Sequence, residues 1–447
     1  MKTRTLTASV AAAALLLGMT ACSSSDDSAD DASGSASDGG SSSGATLTYW
    51  ASNQGTSLDN DKEVLTPVLA AFTEQTGIPV DLEVIGWNDL QTRIQTAVTS
   101  GQGPDVVNIG NTWAASLQAT NAFMPFGSEE MDAIGGADKF VETALATGGV
   151  EGQDPTSVPL YGLAYGLYYN KAMFEQAGLQ PPTTWEEMVT AAQTLTDPST
   201  GVSGMVLAAG SYTENSHFAF INATQNGEEL FDSDGAATFT SDGVVDGILR
   251  YVDLMQSDKV VNPSNAQYDN GALAVADFAN GKAAMILTQN NAGATLSANG
   301  MTDDQYGVVA YPAPEGAESD VASHVAGINL SIFDNTDAKD EALQFVKYMT
   351  SPEVQSTLGR PFSTLPVLND AEATFTDNAE QAQTFIDIYN TRSAPLPLVP
   401  SEDQFESTVG KAMNQMFATV ATGGSVSASD VKAALQTAQD QVAATAG

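Results

Sequence analysis

Apolar positions along the chain alternate between two rhythms. Thr46 to Trp50 reads as a strand. From Lys62 to Thr76, Val64, Leu65, Val68, Leu69 and Phe72 fall on one helical face, and the pattern stops at Gly77 with Pro79 just beyond. Val80, Leu82 and Val84 then alternate as a second strand. Asn88 stands where it can cap a helix carrying Leu90, Ile94, Ala97 and Val98, which ends in Gly101-Gln102-Gly103-Pro104 before the apolar strand Val106 to Ile109. Two successive strand-helix-strand units predict a parallel sheet covered by helices.

The rhythm persists to the end of the chain. Thr184-Trp185-Glu186-Glu187 has the form of a capping box. Phe278-Ala279-Asn280-Gly281 predicts a helix ending at a left-handed glycine, followed by the strand Ala283 to Leu287. Ser351-Pro352-Glu353 opens a helix with proline at its first position. Phe405, Val409, Met413, Met416 and Val420 mark a long amphipathic helix, and Val431, Leu435, Ala438 and Val442 mark the last one. No repeat of fixed period stands out, and the fold class is α/β.

The first 22 residues are laid out differently. Lys2 and Arg4 precede an apolar run from Ala8 to Met19 and small residues ending at Ala21, the three-part pattern of an export signal. The run is too short to remain as a membrane-spanning helix. It is followed by the single cysteine of the chain, Cys22, which has no intramolecular disulfide partner. Met19-Thr20-Ala21-Cys22 resembles the lipobox of bacterial lipoproteins, with Met19 where that motif usually has leucine. The resemblance implies a signal peptide over 1–22 and lipidation at Cys22. Residues 23–45, almost wholly Ser, Asp, Gly and Ala, bury too little apolar area to fold and predict a disordered tether. The expected location is the extracellular face of a bacterial cell membrane, held by the lipid.

Charge narrows the partners. With 55 acidic against 15 basic side chains the formal charge is -40, and no basic stripe is available to neutralise phosphates, so nucleic acid is not an expected partner. The acids are spread along the whole chain, as on a solvated surface.

Four segments then align with one family: Gly103-Pro104-Asp105-Val106-Val107; Val158-Pro159 with Leu167-Tyr168-Tyr169-Asn170-Lys171 and Phe174; Pro182 with Thr184-Trp185-Glu186-Glu187; and Phe278 to Met285. Gly327 to Ile332, with the helix Asp340 to Met349 after it, makes a fifth. In this order and spacing the chain resembles the extracellular solute-binding proteins of family 1, the group similar to maltose-binding protein that serves carbohydrate importers of the ATP-binding-cassette type. The resemblance implies a periplasmic-binding-protein type II fold, with two α/β lobes, a hinge and an interlobe ligand cleft. Residues 46–160 plus 310–358 would form lobe 1 and residues 161–309 plus 359–447 lobe 2, with crossings near Tyr161, Val309 and Arg360. The implied partners are a small carbohydrate or polyol and the permease subunits of the importer, with the protein itself a monomer. Closure of the lobes around the ligand is the expected motion.

In such folds the site gathers at the carboxyl ends of the strands. The loops there supply Asn53, Gln54, Asn111, Trp113, Tyr165, Tyr212, His217, Asn290, Asn291 and Arg360 as ligand-binding candidates. Amides meet both hydrogen-bond roles of a sugar hydroxyl, and aromatic rings cover its apolar face. The set holds no acid and one arginine, which favours a neutral ligand over a cation or a phosphate-rich one. Asn290 and Asn291 are the best of the amides, and as exposed loop side chains they are expected to add little to the ligand-free fold. Trp113 is equally suited to packing inward. Asp105 reads as structural, its carboxylate satisfying backbone donors in the Gly-Pro turn. At Asn291 and around Phe405 to Ser407 some relatives have tryptophans that stack on the sugar. This chain has none there, so a mono- or disaccharide or a polyol suits it better than a maltodextrin.

A secreted, tethered glycoside hydrolase would share these features but needs two carboxyls aimed at one bond, and none lies at the candidate loops. His217 and His324 are the two histidines, and the folded part has no Gly-x-Ser-x-Gly elbow, His-Glu-x-x-His motif or phosphate-binding glycine loop. A structural adhesin predicts no small-molecule site, and the lack of repeats counts against it. No catalytic residue, metal or cofactor is called for.

Overall fold

Two-residue alternation divides the strand side chains between opposite layers of helices. The computed structural model describes residues 46–445; the export signal, Cys22 and the 23–45 segment lie outside the described residues. In chain order the strands are β1 (Leu47–Ser52), β2 (Val80–Ile85), β3 (Val106–Gly110), β4 (Val158–Leu163), β5 (Tyr165–Asn170), β6 (Ser203–Val206), β7 (Ala283–Gln289), β8 (Tyr306–Val309), β9 (Ser323–His324), β10 (Ala326–Ile332) and β11 (Ser393–Ala394).

They form a five-stranded sheet of order β2-β1-β3-β10-β4, a four-stranded sheet of order β6-β7-β5-β8, and a short β11-β9 pair. The expected parallel pairing holds for β1 with β2 and β3, in register from Leu47 opposite Val80. Both sheets are nevertheless mixed. β10 runs antiparallel to β3 and β4, and β5 runs antiparallel to β7 and β8. Ala164 alone separates β4 in one sheet from β5 in the other, so the chain changes sheets there, three residues beyond Tyr161.

In the five-stranded sheet, Leu47, Tyr49 and Ala51 of β1 and Val106 of β3 pack with Leu65, Phe72 and Phe345 on one face. Val107 and Ile109 turn to the other face, against Ile85, Leu90, Ile94 and Trp113. A larger core built on Leu167, Met205, Met285 and Leu287 supports the four-stranded sheet, with Phe218, Ile248, Phe405 and Leu435 from its helices. Burying a large apolar side chain contributes about 1.5–3 kcal/mol, so these layers supply the framework on which the strand ends are held.

Helix boundaries follow local chemistry. The Leu58–Thr76 helix ends at Gly77 in the left-handed region (φ 77°), whose N–H donates to the Thr73 carbonyl. The Trp87–Ser100 helix starts one residue before Asn88, with Gly86 and not Asn88 at the cap, and the Trp87 indole donates to the Asn53 carbonyl (2.7 Å). Thr184 caps the Trp185–Leu195 helix as expected, while the Glu187 carboxylate accepts from Thr183 rather than closing the box on Thr184. Ser351 caps Pro352–Phe362, and the two final amphipathic patterns form Glu402–Ala421 and Ala428–Thr445. Asp105 is structural, but its carboxylate binds across to other segments and not to donors of the Gly-Pro turn, accepting from the Thr48 N–H and hydroxyl (both 2.7 Å) and from the Thr336 hydroxyl (2.5 Å).

Candidate functional site

The loop after β1 is shaped by an acid that the periodicity does not single out. Asp61, fully buried near the start of the Leu58–Thr76 helix, accepts from the Gln54 N–H (2.8 Å), the Gly55 N–H (3.0 Å) and the Asn53 side-chain amide. Burial raises its pKa, and these donors oppose the rise. Asn53 is thereby committed to its own loop. Gln54, also buried, keeps its carbonyl oxygen Oε1 without a partner.

After β3, Asn111 is buried and donates to the Val325 carbonyl (2.8 Å), next to His324. Trp113 takes the inward alternative: it is buried and meets Trp87 edge to face at 5.6 Å. Its ring belongs to the core of the sheet, so stacking on a ligand is not its role in this arrangement.

Two of the candidates meet at a buried polar cluster. The Tyr165 hydroxyl and His217 Nδ1 share a hydrogen bond of 3.0 Å, and His217 Nε2 lies 3.1 Å from a Glu406 carboxylate oxygen. His324 packs on His217 with ring centroids 4.0 Å apart. Burial and the neighbouring His217 hold His324 well below the ordinary histidine range, and its Nδ1 has no partner. Glu402, one helical turn before Glu406, is 1 % exposed with both carboxylate oxygens unpartnered. Burial, then Glu406 and Asp403, push its carboxyl well above the usual range. The candidate loops hold no acid, but the Glu402–Ala421 helix brings the Glu406 carboxyl to His217, with Glu402 one turn before it.

That helix also touches the Asn111–Trp113 turn at the end of β3, so residues of the five-stranded sheet adjoin the cluster. Its close packing on the Tyr212–Gln225 helix depends on Gly410, where a Cβ would lie 2.0 Å from the Tyr212 carbonyl oxygen. Tyr212 begins the latter helix, with the Lys411 ammonium 5.5 Å from its ring centre.

Asn290 and Arg360 lie elsewhere, on a cavity of about 440 Å³ that also reaches Thr56 and Asn60 just beyond the β1 loop. The expectation that Asn290 is an exposed loop amide is overturned. It is 2 % exposed, its Oδ1 accepts from the Ala164 N–H (2.7 Å) and its Nδ2 donates to the Ser363 carbonyl (2.6 Å). This amide clamps the point where the chain changes sheets. Asn291 is partly buried at the start of the Ala292–Ala298 helix and makes no capping bond. Arg360 is exposed and paired with exposed Asp377, an arrangement that contributes little.

Asp61, His324, Ser363, Glu402 and Glu406 are absent from the loop-based candidates. His324 carried a signal as one of two histidines; the acids did not, because they are three among 55. Among the described residues no group of three His, Cys, Asp or Glu side chains is arranged to hold a metal ion.

Two mixed sheets linked by strands of opposite direction define the type II periplasmic-binding-protein fold. A solute-binding protein of an ABC transporter from Thermotoga lettingae TMO, bound with alpha-D-tagatose, matches with a TM-score of 0.76 at 23% identity over 89% of this chain and 99% of that one. One from Agrobacterium radiobacter K84, in complex with ribitol, matches with a TM-score of 0.71 at 23% identity over 89% and 98%. In sequence, a putative binding protein of Brucella abortus (strain 2308) is 24% identical over 353 residues, 77% of this chain and 82% of that protein. The chain belongs to the bacterial extracellular solute-binding proteins, whose family model matches residues 55–356. These relatives are binding proteins and not enzymes, which removes the glycoside hydrolase alternative. Among the described residues no helix is long and apolar enough to cross a membrane.

Proposed function

We propose that the protein is the lipid-anchored receptor of an ABC importer, binding a neutral sugar or polyol between two lobes and passing it to the permease chemically unchanged. The observation that carries the reading is the buried polar cluster of Tyr165, His217 and Glu406, with His324 stacked on His217 leaving its Nδ1 open and Glu402, one turn from Glu406, leaving both oxygens open. Buried polar groups are ordinarily paired, so atoms left open together mark a place for a hydrogen-bonding guest. The tagatose and ribitol complexes of proteins with this fold support a small polyhydroxylated ligand. In this reading the lobes divide where the two sheets do, and Cys22 supplies the anchor.

The test is a thermal-shift screen of neutral sugars and polyols against the mature protein. At one hundred times the dissociation constant a ligand that binds only the folded state adds about 2.7 kcal/mol, an easily measured rise in melting temperature. Chromatography after long incubation should return the ligand intact, and scattering should show a smaller radius of gyration with it. No response to any neutral sugar or polyol would refute the proposal.

A further inference from the structure

Glu402 is the one carboxyl among the described residues with both oxygens buried and unpartnered. Burying an ionisable group without a partner costs several kcal/mol or forces the group to stay neutral, and folding alone gains nothing from it. A leucine or glutamine at this position would fill the same space at lower cost. A partner that brings hydrogen bonds to these two oxygens would remove that cost.

The surroundings say what that partner offers. Glu406 lies one turn away on the same helix face and is already engaged with His217, which is engaged with Tyr165. No lysine or arginine forms an ion pair with Glu402 or Glu406 among the described residues. His324, stacked on His217, adds a further unpartnered ring nitrogen and is held neutral by burial. The cluster thus presents open carboxyl oxygens and a ring nitrogen without a fixed cation. Neighbouring hydroxyls of a neutral ligand both donate and accept and so satisfy such a group in either protonation state, whereas a carboxylate or phosphate would be buried there with no counter-charge.

We propose that Glu402 is a specificity-determining residue of the ligand site, engaging adjacent hydroxyls of a neutral polyhydroxylated ligand and turning away its anionic counterparts, the uronates and sugar phosphates. This rests on the sugar or polyol reading above. It goes further by assigning the choice between neutral and acidic ligands to one side chain.

The experiment uses the mature protein and its Glu402→Gln variant, which keeps the shape and removes the acid. Calorimetric titrations use D-tagatose, ribitol and any neutral hit of the screen, together with D-glucuronate and ribitol 5-phosphate. Wild type should bind a neutral probe and bind the anionic ones at least about 100-fold more weakly, and Glu402→Gln should lose about 10- to 100-fold in affinity for the neutral probe, as expected for one or two hydrogen bonds to a carboxyl. The ligand-free melting temperature of the variant should be equal to or above that of wild type, because an unpaired buried acid is removed. A residue serving only the fold would show the opposite, a lower melting temperature with affinity retained. Wild type binding a neutral probe while Glu402→Gln binds it equally well overturns this proposal alone, as does equal wild-type affinity for the anionic probes. Wild type binding only anions, or none of the compounds, overturns the sugar or polyol reading as well.

Discussion

Replacing Asn290 by alanine removes two short hydrogen bonds at the place where the chain passes from one sheet to the other. The Ala164 N–H loses its acceptor at 2.7 Å and the Ser363 carbonyl its donor at 2.6 Å. Ala164 is fully buried and Ser363 is 4 % exposed, so neither group has ready access to bulk solvent. Ser363 also sits in the left-handed region (φ 49°), a conformation that a serine holds only when its surroundings enforce it. Each buried group left unsatisfied costs about 1–3 kcal/mol, giving about 2–6 kcal/mol for Asn290→Ala, with the lower half favoured because water from the adjoining cavity can restore part of the loss. Asn290→Asp should be no better: it keeps an acceptor for Ala164 but sets a carboxylate oxygen against the Ser363 carbonyl. Urea denaturation of the ligand-free proteins, followed by tryptophan fluorescence, reads the difference directly. A change smaller than about 0.5 kcal/mol for Asn290→Ala, the usual range for a surface substitution, would refute the clamp.

Three further outcomes follow from other parts of the chain. Gly410→Ala would place a Cβ 2.0 Å from the Tyr212 backbone oxygen, and the about 1 kcal/mol gain in helix propensity cannot offset that overlap, so its melting temperature should fall; an unchanged value would contradict the close helix contact. Desolvation pushes the Glu214 carboxyl from 4.5 up to about 8, so stability tied to its neutral form is fully present below pH 4.5 and is lost as pH rises toward 8. Urea titrations across that window should show wild type weakening more than Glu214→Gln, and parallel curves would exclude the effect. Metabolic labelling with a fatty-acid analogue should mark wild type, while Cys22→Ser should appear unlabelled in the medium; equal labelling of both would rule out lipidation at Cys22.

Most elements were legible from their apolar spacing, because an isolated helix face or strand must still bury its own hydrophobic residues. Phe72 and Phe405 are core residues for the same reason that they fit the pattern. Antiparallel pairing was not legible in this way. The spacing within β5 and β10 is the same whichever way their neighbours run, and direction was settled by the chain entering each sheet from the other. The site divides similarly. The strand-end rule found Tyr165 and His217, since strand ends are local features, but it carried no information on what packs over them.

The order of helices and strands, the places where helices stop at glycine and the candidate strand-end loops were determined by the sequence alone, through interactions that span a few residues. Tertiary structure decided the rest. It turned Trp113 into core, made Asn290 a clamp between Ala164 and Ser363, and set Glu406 beside His217 across 189 residues of chain. Burial and hydrogen-bond satisfaction depend on atoms distant in sequence, so the chemistry of a carboxyl or an amide cannot be read before its neighbours are in place.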